Sequence, residues 1–294
     1  MTHPALTVGP HTFNWGAQTY IMGILNVTPD SFSGDGLAGG DDWVDRVVAL
    51  AEDHVAAGAH ILDVGGESTR PGSQPIPVDE ELRRTIPAVR ALAARVSVPI
   101  SIDTYKAEVA RQAIAAGATI INDVWGFRRD DGLARVAAES GVAVVLMHNR
   151  SQPGDTAREA QLGGRYVGVE YGELIADIKR ELAESVELAL RAGVDEERVI
   201  VDPGIGFGKT VDQNLELVDR LTELTEMGYP ILVGPSRKSF LGYTLKLPPA
   251  ERIEGTAAAV TLSIDRGADI VRVHDVALMA RVARIADAIV RRPS

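Results

Sequence analysis

Short apolar runs recur eight times along this chain, and most end in, or run straight into, a residue capable of chemistry. Tyr20–Leu25 precedes Asn26, and His60–Val64 carries Asp63. Pro99–Ile102 precedes Asp103, and Thr119–Ile121 precedes Asn122 and Asp123. Val142–Met147 precedes His148, and Val199–Val201 precedes Asp202. Ile231–Val233 leads to Ser236-Arg237-Lys238, and Ile270–Val273 carries Arg272 ahead of His274. Runs that are apolar throughout, rather than alternating, fit parallel strands covered on both faces. Between them lie amphipathic segments of helical length. Helices are expected near Asp41–Ala57, Asp79–Arg95, Lys106–Ala115, Asp131–Glu139, Tyr171–Ala192, Val211–Met227, Glu254–Asp265 and Val276–Arg291. Asp41 and Asp79 are the expected N-caps of the first two.

Three strand entrances share one shape: Ala57-Gly58-Ala59, Ala116-Gly117-Ala118 and Arg266-Gly267-Ala268 each close a helix on a glycine and open a buried strand. Gly141, Gly193 and Gly228 stand at the same place before three further strands. Strand–helix alternation with short connections gives a barrel or an open doubly wound sheet, and eight units favour the barrel. The expected fold is therefore α/β, a (β/α)8 TIM barrel forming one domain over residues 1–294. Residues 1–19 form an N-terminal extension. In it, Leu6–Val8 and Phe13–Trp15 flank Gly9-Pro10, a hairpin that would plug the barrel floor. Asn26–Asp41 and Gly65–Pro77 read as long functional loops. Ser151–Gly168 reads as a polar surface excursion.

Composition narrows the class. The 294 residues suffice for one barrel, which typically needs about 250. No apolar stretch reaches the roughly 20 residues of a membrane span, and Met1–Gln18 lacks the pattern of a signal peptide. The absence of cysteine removes disulfides, thiolate zinc sites and thiol nucleophiles, and fits a cytoplasmic location. A net charge of −11 opposes nucleic-acid binding but permits an anionic substrate wherever local cations dominate a cleft.

A barrel gathers its strand C-termini on one face, where active sites sit. Asp103, Asn122 and Asp202 would share that rim. A carboxylate accepts two parallel hydrogen bonds and an amide both donates and accepts, so the trio suits a guanine-like or pterin-like edge. Each alone is about as well explained as a helix or loop cap. Arg272 inside an apolar strand demands a partner or a ligand, and its planar group can stack on a ring. Lys238 brings a second cation, whereas Arg237 reads as a salt-bridging surface residue. Gly204-Ile205-Gly206-Phe207-Gly208-Lys209-Thr210 imitates a phosphate loop but has Pro203 where the first glycine is required. No H-E-x-x-H is present, so zinc is not expected. Asn26 with substrate phosphate oxygens would suit Mg2+.

Several of these segments resemble the dihydropteroate synthase family. The opening signature is similar to Tyr20-Ile21-Met22-Gly23-Ile24-Leu25-Asn26-Val27-Thr28-Pro29-Asp30-Ser31-Phe32-Ser33, and the second to Ile61-Leu62-Asp63-Val64-Gly65-Gly66-Glu67-Ser68-Thr69-Arg70-Pro71-Gly72. Asp202-Pro203-Gly204, Ser236-Arg237-Lys238-Ser239 and Arg272-Val273-His274 follow in the family's order. The resemblance implies a Mg2+-dependent condensation of 6-hydroxymethyl-7,8-dihydropterin diphosphate with 4-aminobenzoate in folate synthesis. It places Asp202, Asn122, Asp103 and Lys238 on the pterin. Arg272 would stack on the ring and, with His274, face the diphosphate; Asn26 would contribute to the metal. Met147 and Phe207 would be apolar walls, Ser239 the aminobenzoate carboxylate site, and Thr69 and Arg70 part of a closing loop. It implies a homodimer and, since sulfonamides mimic aminobenzoate, a sulfonamide target.

Two departures stand out. In Ser33-Gly34-Asp35-Gly36 the Asp comes one place later than usual, and Pro235 precedes Ser236 where a small residue is common. The alternatives are a pterin-binding methyltransferase and a non-catalytic pterin-binding paralogue. The Ser-Thr-Arg-Pro-Gly loop and the Ser-Arg-Lys segment speak against the first. The intact Asn26, Asp103, Asp202, Lys238, Arg272 and His274 speak against the second.

Overall fold

The computed structural model describes residues 3–28, 42–69, 72–152, 154–167 and 169–291. Eight parallel strands form one sheet: β3 (Tyr20–Asn26), β4 (Ile61–Gly65), β5 (Ile100–Asp103), β6 (Ile120–Asp123), β7 (Ala143–Met147), β10 (Val199–Asp202), β11 (Leu232–Val233) and β12 (Ile270–Val273). The order runs β10-β7-β6-β5-β4-β3-β12-β11, and a parallel bridge from Val201 to Ile231 joins the two ends. This is the expected barrel. Glycines 58, 117 and 267 close their helices at φ of 104°, 121° and 100°, a region in which a Cβ would clash.

Strand phase explains why these runs are apolar throughout. Alternate side chains point to opposite faces of a strand. Ile21, Leu62, Ile121, Val144, Val201 and Val271 face outward and pack with the helices. Tyr20, Met22, Ile61, Ile120, Ala143, Val145, Ile200, Leu232 and Ile270 form a second cluster inside the barrel. The hairpin of β1 (Leu6–Val8) and β2 (His11–Phe13) adds Leu6, Val8, Phe13 and nearby Trp15 to that inner cluster. It is the floor plug expected from the sequence.

Among the described residues eight longer helices surround the strands: α1 (Trp43–Ala56), α2 (Val78–Ala93), α3 (Ala107–Ala116), α4 (Leu133–Ser140), α5 (Leu174–Ala192), α6 (Val211–Asp219), α8 (Ile253–Asp265) and α9 (Val276–Val290). Four details differ from expectation. Asp79 lies inside the first turn of α2, whose N-cap is Pro77; Asp41 lies outside the described residues. The helix expected over Val211–Met227 changes to 3-10 geometry at Leu221–Met227, where Gly228 ends it at positive φ. The short helix α7 (Ser239–Leu245) was not anticipated. The excursion Ser151–Gly168 contains a hairpin, β8 (Thr156–Glu159) with β9 (Gly163–Tyr166). Its polar sequence hides a structural role, because backbone pairing rather than side-chain burial defines it.

Candidate active site

The inward phase that buries Ile61, Ile120, Ile200 and Ile270 carries Asp63, Asn122, Asp202 and Arg272 two residues further along the same strands. The barrel is therefore apolar at its floor and polar at its C-terminal layer. Arg272 Nε donates to Asp63 Oδ2 at 2.6 Å, and Arg272 Nη2 to Asp103 Oδ2 at 2.7 Å. Asn122 Nδ2 also donates to Asp63 Oδ2, at 3.1 Å. The strand arginine thus finds two carboxylates. Burial pushes the Asp103 carboxyl up to about 7, with Arg272 pulling it back and Asp63 raising it further. Asp63 was missed as a site residue. Its signal was the same as that of Arg272, a charge inside an apolar strand. Asp123 faces the other way and accepts from the backbone N–H groups of Trp125 and Phe127, so it holds a loop.

The loop after β10 supplies the opposite wall. Gly204 N donates to Asp202 Oδ1 at 2.7 Å. Lys238 donates to the Ile205 carbonyl and sits 4.4 Å over the Phe207 ring. Gly206, at φ 80°, makes this approach possible: a Cβ there would stand 2.5 Å from Lys238 Cδ. Burial lowers Lys238 to about 8, while Asp202 supports its charge and Arg272 opposes it. Asp202 is raised by burial, and Lys238 is the cation that most holds it down.

Lys209, which the sequence left as the end of a failed phosphate loop, is only 2% exposed. Its Nζ lies 2.9 Å from His148 Nδ1 and donates to the carbonyls of Gly204 and Phe207 at 3.1 Å each. Burial draws its proton affinity well down. Three acceptors around one nitrogen nevertheless match the three donors of an ammonium, and that is the form the geometry favours. Burial and then Lys209 lower His148 to about 3, so the imidazole is neutral and accepts at Nδ1. Its Nε2 approaches Glu181 Oε2 at 3.1 Å, without the alignment of a hydrogen bond. Lys209 and His148 therefore brace the loop that carries Phe207. No sequence signal pairs residues 61 positions apart.

Beyond β11, Ser236 Oγ lies 3.0 Å from His274 Nδ1 and accepts from His274 N at 3.2 Å. Arg237 pairs with Asp275 through Nε and Nη2 at 2.9 and 2.6 Å, the expected salt bridge, though it also lines the cavity. Pro235 accepts from Lys238 N through its carbonyl, so its missing N–H is not needed in this turn. The base of the loop after β4 is clamped: Glu67 accepts from Ile76 N, Tyr105 and Lys106, and Lys106 also reaches the Ile76 carbonyl and Glu81.

These elements enclose a cavity of about 680 Å³. Asn26, Thr69, Asp103, Phe207, Lys238, Ser239, Arg272 and His274 line it, as the sequence led us to expect. Asn122, Met147 and Asp202 do not; they are buried on the same rim. Arg70 and Asp35 lie outside the described residues. The β8–β9 hairpin does line the cavity, through Arg158, Gln161 and Leu162 among others, which corrects its reading as a surface excursion. Among the described residues no group of three His, Cys, Asp or Glu side chains could hold a metal.

Fold and site together define an α/β barrel with a polar, charge-lined pocket of the kind enzymes use. The family model described as pterin binding enzyme matches residues 22–274. The dihydropteroate synthase of Bacillus subtilis is 47% identical over 283 residues, covering 96% of this chain and 93% of the relative. The structure of the Clostridium difficile dihydropteroate synthase, determined in the presence of pteroic acid, is similar with a TM-score of 0.86 and 46% identity, covering 95% of this chain and 100% of that one. The Xanthomonas albilineans dihydropteroate synthase with 4-aminobenzoic acid gives a TM-score of 0.86 at 40% identity, over 99% and 100%. The chain belongs to the pterin-binding enzymes and, among them, to the dihydropteroate synthase family.

Proposed function

We propose that this chain condenses 6-hydroxymethyl-7,8-dihydropterin diphosphate with 4-aminobenzoate, giving 7,8-dihydropteroate and diphosphate. One observation carries the reading: a chain 47% identical to a dihydropteroate synthase over 96% of its length brings Asp103, Lys238, Arg272 and His274 to one cavity. In this reading Asp202 pairs with the pyrimidine edge of the pterin, and Asn122 and Asp103 bond further ring nitrogens. Lys238 donates to the ring oxygen and nitrogen, and Arg272 stacks on the ring. Met147 and Phe207 supply apolar surface. Ser239 receives the aminobenzoate carboxylate, and Thr69 and Arg70 belong to the loop that closes over it.

The reaction needs no protein nucleophile. The bond from the methylene carbon to the diphosphate oxygen breaks, and its electron pair leaves with diphosphate. The ring delocalises the resulting positive charge, and the nearby Asp103 carboxylate stabilises it electrostatically. The aminobenzoate nitrogen then bonds to the methylene carbon and loses a proton. Arg272 and His274 face the departing diphosphate. Asn26 and Thr28 offer neutral oxygens at the cavity wall. Such a sparse donor set fits Mg2+ arriving with a diphosphate, since this ion keeps several waters and takes few protein ligands. When bound, Mg2+ would neutralise diphosphate charge. The absence of cysteine and of any helix long and apolar enough to span a membrane among the described residues supports a cytoplasmic place of work. Leu262 on α8 and Leu278, Ile285 and Ile289 on α9 are exposed, which supports a homodimer through these helices.

Purified protein given the pterin diphosphate, Mg2+ and 4-aminobenzoate should form dihydropteroate and release diphosphate only when the amine is present. Binding of pterin without product would move the reading to a non-catalytic paralogue. Asp103 must be ionised and Lys238 protonated, and their shifts oppose one another. A carboxyl raised to about 7 is lost as a charge when pH falls through 7, and an ammonium lowered to about 8 is lost as pH rises through 8. The kcat/KM profile should therefore peak between these values, and a profile flat from pH 6 to 9 would refute the assignment. In Asp103→Asn, turnover should fall by about 10²-fold, far more than pterin affinity; equal losses in both would exclude the electrostatic role. Sedimentation should give twice the 31.4 kDa chain mass, and a mass near 31.4 kDa would dismiss the dimer.

A further inference from the structure

Arg252 stands just before α8 and is 2% exposed, yet it reaches the wall of the cavity. Among the described residues its guanidinium donates to three carbonyls. Nε reaches Leu247 O at 3.1 Å, Nη1 reaches Arg237 O at 3.0 Å and Nη2 reaches Leu162 O at 2.9 Å. Three segments of the outer cavity are tied by these bonds: the end of α7, the Ser-Arg-Lys segment and the tip of the β8–β9 hairpin. Of the other arginines that line the cavity, Arg272 is paired with Asp63 and Asp103, and Arg237 with Asp275. Among the described residues no carboxylate forms an ion pair with Arg252. Burial lowers its affinity for the proton, and Tyr243 opposes this. Carbonyl dipoles solvate a guanidinium but leave its net charge in place, and a buried charge is costly until an opposite charge joins it.

The neighbouring helix is shaped around this group. A Cβ on Gly242 would fall 2.1 Å from Nη2, 2.2 Å from Cζ and 2.3 Å from Nε of Arg252. Only a glycine lets the guanidinium lie flat against α7. Gly242 comes one helical turn after Ser239, which lines the same cavity. The positive charge is thus lodged against the first turn of α7, beside the cavity.

We propose that Arg252 is a specificity-determining residue whose uncompensated buried charge selects an amine substrate bearing a carboxylate over its neutral counterpart. This rests on the dihydropteroate synthase reading above, and it assigns the charge discrimination in the amine subsite to this one side chain. Arg252 acts through the field it sets and through Ser239 on α7, so it is a positioning residue rather than a catalytic one. A purely structural tie would treat charged and neutral amines alike.

The test compares KM for 4-aminobenzoate with KM for 4-aminobenzamide, which keeps the nucleophilic amine and the shape but lacks the charge. In Arg252→Gln, KM for aminobenzoate should rise at least about tenfold, with KM for the amide within about twofold of wild type and pterin affinity unchanged. Gly242→Ala keeps the arginine but drives its guanidinium from α7, and it should shift the ratio of the two KM values in the same direction. Either variant can decide if the other fails to fold, as judged by its thermal unfolding. A ratio that stays at the wild-type value in a folded variant, with both constants rising together, would reduce Arg252 to a structural tie. Wild-type protein that makes no product from either amine would instead refute the enzymatic reading itself.

Discussion

Arg272 is the constraint around which the upper barrel is organised. A guanidinium rising from a parallel strand into the barrel interior is largely withdrawn from solvent, so most of its charge has to be met from neighbouring strands. Asp63 and Asp103 meet it, and Asn122 shares Asp63. Removing one side of such a buried pair typically costs about 3–5 kcal/mol, because the other charge is left behind. The network is therefore rigid, and its rigidity is useful. It holds a flat cation and two carboxylates at set positions before any ligand arrives, so little reorganisation is left for the bound state.

The same barrel separates two kinds of electrostatics. Towards the strand ends the charges are paired and strongly perturbed, with Asp103 raised to about 7 and Lys238 lowered to about 8 by burial. Such opposed shifts suit groups that bind a polar ring through alternating donors and acceptors. Farther out, under α7 and the β8–β9 hairpin, Arg252 keeps its charge among carbonyls. The loops that connect the two ends are braced from below. Lys209 draws the carbonyls of Gly204 and Phe207 to His148, and Lys106 draws Glu67, Ile76 and Glu81 together beneath the loop that carries Thr69.

Most of the barrel was legible in the sequence because its strands are continuous apolar runs, six of them preceded by a glycine at positive φ. Asn26, Asp103, Lys238, Arg272 and His274 followed from their place at strand ends or in the loops just beyond, whereas Thr69, Phe207 and Ser239 came with the family resemblance. Strand phase would have said more: Asp63 follows Ile61, as Arg272 follows Ile270, by the two residues that return a side chain to the barrel interior. What stayed hidden depends on contacts far apart in the chain. Lys209 resembles an exposed lysine after a glycine-rich turn until His148 is placed beside it. Arg252 resembles a surface charge at a helix start until Gly242 opens a slot for it. The β8–β9 hairpin has no apolar alternation to betray it, and α7 is too short for a periodic signal to emerge.

The central claim is that the clamped Arg272 preorganises the pterin end of the cavity. Calorimetric titration of the pterin diphosphate into wild-type protein and Asp63→Asn tests it most directly, because the substitution keeps the shape of the side chain and removes only its charge. Affinity for the pterin should fall at least about tenfold, the equivalent of roughly 1.4 kcal/mol, while KM for 4-aminobenzoate stays near its wild-type value. Unchanged pterin affinity in a folded Asp63→Asn protein would show that the carboxylate clamp on Arg272 does not prepare the site.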